Sequence, residues 1–125
     1  MLTDRRLIQA LIGLALANHY LTNGGYMYKL HFYEDPGHGW LKVPKALLRV
    51  LDIEDQISWY SYQKGDFAYL EEDCDYSLFQ AAMNQTGREF SLVEHCSRER
   101  SSKIRSYEHY RYAAAKCQFT RDLTL

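Results

Sequence analysis

Asp35-Pro36-Gly37-His38-Gly39-Trp40 is the stretch on which the reading of this chain turns. Proline fixes one φ and each glycine permits a positive one, so the run reads as a turn. Before it, Tyr28-Lys29-Leu30-His31-Phe32-Tyr33 alternates and is aromatic, as a strand is; after it, Trp40-Leu41-Lys42-Val43 returns as a second strand and closes a hairpin. Two glycines flanking His38 let the backbone approach a ligand closely and leave the imidazole on a tip. Two readings follow. His38 contacts a ligand, or works as a general acid or base with Glu34 or Asp35 beside it. Alternatively the turn is a rigid corner in which Trp40 anchors the core and His38 faces solvent.

Downstream, Pro44 suits a first helical position, and Ala46-Leu47-Leu48-Val50-Leu51 supplies an apolar helical face. Ile57 to Gln63 alternates and predicts a strand. Lys64-Gly65-Asp66 turns the chain, and Phe67-Ala68-Tyr69-Leu70 returns. Asp73 or Asp75 is placed to cap a helix running to about Asn84, with Leu78, Phe79 and Ala82 inward and Gly87 beyond its end. Glu89 to His95 predicts another strand, Ile104 to Tyr112 a last strand or a short helix, and 118–125 a loosely held end. Upstream, residues 4–20 read as a helix, started by Thr3 or Asp4 and stopped by Asn23-Gly24-Gly25; its apolar 7–17 stretch suits burial or a homodimer interface. The expected fold is α+β: a small antiparallel sheet of hairpins packed with two or three helices, in one domain over 1–125.

A length of 125 residues, 46% of them hydrophobic and 25% charged, fits one such domain and excludes a disordered or fibrous chain. The net charge of −1 gives no global reason to expect nucleic acid or an anionic membrane. Its distribution is uneven: ten acids against four bases over 34–75, eight bases against five acids over 88–125. Arg5-Arg6 followed by an apolar run ending in Ala15-Leu16-Ala17 has the shape of an export signal, but Gln9 and Asp4 weaken it and eleven residues are too few to span a bilayer. The expected compartment is the cytoplasm of a bacterial host, without membrane attachment. Asn23-Gly24-Gly25-Tyr26-Met27 can encode a ribosome-binding sequence just ahead of a start codon, which makes residues 1–26 an optional extension; the mass of the native protein tests this.

Cys74, Cys96 and Cys117 are odd in number and form no CxxC pair, so free, buried thiols are expected rather than a disulfide framework or a zinc site. The acidic run Glu71-Glu72-Asp73-Cys74-Asp75 lacks the spacing of an EF-hand, and helix capping explains Asp73 and Asp75, so no metal is expected. Trp59-Tyr60-Ser61-Tyr62-Gln63 offers aromatic platforms for a base or a partner side chain. The segment containing Arg98, Arg100, Lys103, Arg105 and Tyr107 combines cations with hydroxyls, a chemistry suited to phosphate. No Walker loop, GxSxG or HExxH motif appears, and no cofactor is expected.

Asp-Pro-Gly-His-Gly-Trp-Leu at 35–41, Ser-Trp-Tyr-Ser-Tyr-Gln-Lys-Gly at 58–65, Tyr-Leu-Glu-Glu-Asp-Cys-Asp at 69–75 and Ser-Lys-Ile-Arg-Ser-Tyr at 102–107 resemble, as a set, an uncharacterised family of small proteins and domains from bacteriophages and other bacterial mobile elements. The resemblance covers about residues 28–110 and does not reach 1–26, leaving 27–112 as the core. It implies an accessory gene and carries no assigned catalytic residue. The expected function is a non-enzymatic binding protein that blocks a host defence component, holding either a host protein or a small phosphorylated signal. The binding residues on this reading are Asp35, His38, Trp40, Tyr60, Tyr62, Gln63, Arg98, Arg100, Lys103, Arg105 and Tyr107. The alternatives are a small hydrolase or transferase using His38 with Glu34 or Asp35, and an RNA- or DNA-binding module.

Overall fold

The computed structural model describes residues 19–22 and 25–112. The strands are β1 (His19–Thr22), β2 (Gly25–Glu34), β3 (Gly39–Pro44), β4 (Tyr62–Lys64), β5 (Phe67–Glu71), β6 (Glu89–Cys96) and β7 (Glu108–His109). Two helices, α1 (Lys45–Val50) and α2 (Tyr76–Gln85), and one 3-10 turn, η1 (Lys103–Ser106), accompany them among the described residues. All seven strands join one sheet. β2, β3, β5, β4 and β7 lie side by side as antiparallel neighbours, β1 pairs with the start of β2, and β6 lies along the other edge of β2. The fold is α+β.

Alternation decides what the sheet buries. Tyr28 and Leu30 on β2, Leu41 and Val43 on β3, and Ala68 and Leu70 on β5 share one face and pack against Leu47, Leu48, Phe79 and Met83 of the two helices. The intervening residues face the other side, where Trp40, Tyr69 and Ile104 form a second, smaller core. The segment holding η1 therefore lies over that second face, near its His38 end.

The expected hairpin at 28–43 is present, the pair expected over 57–70 is present only from Tyr62 onward, and both central helices are present. Four expectations are corrected. β6 pairs parallel with β2, from Met27–Glu89 to Glu34–Cys96, because α2 carries the chain back across the sheet before β6 begins. Residues 57–61 are not a strand: the Ser58 and Ser61 hydroxyls and the Ser58 N–H all donate to the buried Asp75 carboxylate, which folds them into a turn. Asp75 consequently makes no side-chain cap on α2. Finally, His19 and Tyr20 belong to β1, so a helix over 4–20 cannot reach its expected end; the remainder of that helix, with the 7–17 interface, and the loosely held 118–125 lie outside the described residues. The Ile104–Tyr112 segment contains both expected forms in part, η1 followed by β7.

Candidate functional site

The 35–40 turn is built around the Asp35 carboxylate, whose side chain is wholly buried. Oδ1 accepts the backbone N–H groups of Gly37 and His38 at 2.9 and 3.0 Å, and Oδ2 accepts that of Ser102 at 2.8 Å. Arg105 closes the cage with two charge-assisted bonds, Nε to Oδ2 at 2.7 Å and Nη2 to Oδ1 at 2.9 Å. The guanidinium beside Asp35, helped by the backbone donors, outweighs burial and holds its carboxyl well below the usual carboxylate range. Asp35 is therefore a structural clamp and not a ligand contact, and Arg105 is committed to it.

Neither glycine of the turn uses a positive φ, contrary to the expectation; among the described glycines only Gly65 and Gly87 do. They are required for space instead. A Cβ on Gly37 would stand 2.8 Å from Arg105 Nη2, and one on Gly39 would stand 2.4 Å from Phe32 Cζ. The close approach the sequence suggested for a ligand is made by the protein itself.

His38 stands on the turn with its ring half exposed, and its carboxylate partner is Glu71, not Glu34 or Asp35: Nδ1 lies 3.2 Å from Glu71 Oε1. Glu71 is buried and held in place, since its Oε2 accepts the N–H groups of Asp73 and Cys74 and its own N–H donates to Ser61 Oγ. With the carboxylate accepting, His38 Nδ1 carries the proton and Nε2 is the free basic atom. The Asp73 carboxylate has no hydrogen bond or ion pair among the described residues.

These groups line an open cleft of about 320 Å³ with Trp40, Tyr60, Tyr62, Cys74, Arg105 and His109. Tyr60 is 65% exposed and the neighbouring Trp59 61%. Trp59 lies flat on His109, ring centroids 3.5 Å apart, and His109 Nδ1–H donates to the Trp59 carbonyl at 2.8 Å. Arg105 sits over the Trp40 ring at 5.3 Å. Trp40 Nε1–H is buried without an acceptor among the described residues. A second open cleft of about 420 Å³ lies on the other side of His38, lined among others by Glu34, Glu72 and Arg98.

Of the residues expected to bind, His38, Trp40, Tyr60, Tyr62 and Arg105 meet in one cleft. Arg98 lines the second cleft; Arg100 and Lys103 are exposed away from both. Gln63 accepts the Arg111 N–H, and Tyr107 packs on Tyr69. Sequence reading missed Glu71 and His109 as site residues, and Trp59 as the ring that positions His109. Cys74 and Cys96 are exposed, not buried, while Cys117 lies outside the described residues. Desolvation and the carboxylates around it push the Cys74 thiol up, which keeps it protonated and poorly nucleophilic.

His38, Glu71, Glu72 and Asp73 bring one ligand atom each within 4.8 Å of one another, so the acidic run does converge where capping had been expected to explain it. That donor set would suit a hard divalent cation. Desolvation, then Asp73 and Glu71, push the Glu72 carboxyl up.

The four sequence stretches at 35–41, 58–65, 69–75 and 102–107 thus supply one cleft, tied together by the Asp35 cage and by the Ser58–Ser61–Asp75 bonds. No protein-family model, curated protein or solved structure matches this chain. No helix among the described residues is long and apolar enough to cross a membrane.

Proposed function

We propose that this chain is a non-enzymatic binding protein, an accessory protein of a phage or related element, which captures a host protein through a basic side chain held in the His38 cleft. The carrying observation is the charge and shape of the lining. Trp40, Tyr60, Tyr62 and His109 supply rings, Glu71 and the unpaired Asp73 supply negative charge, and the one guanidinium is already neutralised by Asp35. Aromatic faces with carboxylates attract a lysine or arginine head. The same lining repels phosphate, so of the two expected ligands the protein is favoured over the phosphorylated signal. The resemblance of the four stretches supports the mobile-element setting, and a role in the host cytoplasm follows from it.

Photo-cross-linking tests this reading. With p-benzoylphenylalanine at position 60, cross-links formed in host lysate are expected to map to a lysine- or arginine-bearing segment of one protein and to vanish on Asp73→Lys. Cross-links unaffected by Asp73→Lys would overturn it.

A second reading is favoured by the His38–Glu71 contact. A histidine whose Nδ1–H is held by a buried carboxylate presents Nε2 as a general base, as a small hydrolase or transferase requires. His38→Ala abolishing biological activity while leaving partner capture intact would select that reading.

A further inference from the structure

The sheet face turned away from the helices separates charges that the sequence mixes. On its half farther from the His38 turn, the strands present Lys29, Lys42 and Lys64, and the carboxylates at that end are Glu89, at the start of β6, and Asp66, exposed in the β4–β5 turn. Other acids lie elsewhere: Glu71 to Asp75 at the other end of the sheet, Glu94 on the helix-covered face.

Rings run between these cations. Lys42 Nζ lies over the Phe67 ring at 4.3 Å and Lys64 Nζ over Tyr107 at 4.8 Å. Tyr33 stacks on His95 at 4.6 Å and reaches Tyr69 at 6.5 Å, which in turn meets Tyr107 at 5.1 Å. Tyr33, Phe67 and Tyr107 are half-buried. Ahead of Tyr107 in the chain, η1 holds the exposed Lys103, and Glu99 and Arg100, also exposed, precede it.

We propose that this face binds single-stranded nucleic acid, its lysines following the phosphates and its half-buried rings taking bases. Charge complementarity points to a polyanion, and rings interleaved with the cations point to one whose bases are unpaired. A duplex would offer the rings no base face. An anionic bilayer would leave them without a stacking partner.

Fluorescence anisotropy with labelled oligouridine and oligothymidine of about ten nucleotides tests it, the two arms separating RNA from DNA. Binding is expected for at least one, weakening steeply with salt. The variant Lys29→Gln/Lys42→Gln/Lys64→Gln should lower the salt slope by about 2 and the affinity at 0.1 M salt by about a hundredfold. Arginine at the same three positions should restore binding, which separates lost charge from lost folding. Absence of binding to both oligonucleotides, an unchanged salt slope in the glutamine variant, or preference for duplex DNA or phosphatidylserine vesicles would each overturn the proposal.

Discussion

Asp35→Ala removes the carboxylate on which the site is assembled. Three backbone N–H groups, from Gly37, His38 and Ser102, lose their acceptor, and the two bonds from Arg105 go with them. Gly37 and His38 are exposed and their N–H groups regain some water, so each of the three lost backbone bonds is counted at about 1 kcal/mol, or about 3 kcal/mol together. Arg105, more than a third exposed, recovers its hydration and adds nothing to that sum. For a chain of this size the loss corresponds to a fall in Tm of roughly 10 °C. The assay is thermal unfolding followed by circular dichroism, repeated from pH 7 downward. A folded-state carboxyl held below its unfolded value binds fewer protons than the unfolded chain as pH falls below about 4. Its contribution is therefore complete above that pH and fades as the pH drops toward the folded value. The gap between wild type and Asp35→Ala should be full at pH 7 and narrow steadily below pH 4. A variant within about 2 °C of wild type at pH 7, or a gap independent of pH, would refute the clamp.

The structure makes two further predictions of opposite sign. Gly39→Ala puts a methyl group against the Phe32 ring across the β2–β3 pair and should cost about 2 kcal/mol in chemical denaturation; a neutral result would mean that Phe32 moves freely. Asp52, exposed at φ 59° just after α1, occupies a left-handed position favourable to glycine, so Asp52→Gly should raise stability by about 0.5 kcal/mol, and a loss would contradict the assignment.

Local signals in the sequence carried the fold as far as neighbouring residues decide it. Alternation marked β2, β3 and β5, helical spacing marked α1 and α2, and the glycines marked the turns. The parallel β2–β6 pair was not legible, because it joins residues more than sixty positions apart and depends on where α2 returns the chain. The 57–61 turn was misread for a related reason: its alternation is real, but Asp75 draws both serines inward from fourteen and seventeen residues away. In the site, His38 and the aromatic walls were visible as unusual residues. Its partner was not. Nothing adjacent in sequence marks Glu71 over Glu34 or Asp35; only the pairing of β3 with β5, which places Glu71 opposite Trp40, brings that carboxylate beneath the imidazole. The turn glycines were recognised by type, yet their cause is crowding by Arg105 and Phe32, which no local rule contains.

The claim that the cleft selects a cationic side chain is tested most directly by nuclear magnetic resonance titration of the labelled protein with N-acetyl-arginine amide and, separately, with adenosine monophosphate. The arginine compound is expected to shift the Trp40 indole N–H and the Tyr60, Tyr62 and His109 ring signals together, while the nucleotide leaves them in place. Shifts of those signals by the nucleotide, with none from arginine, would contradict it.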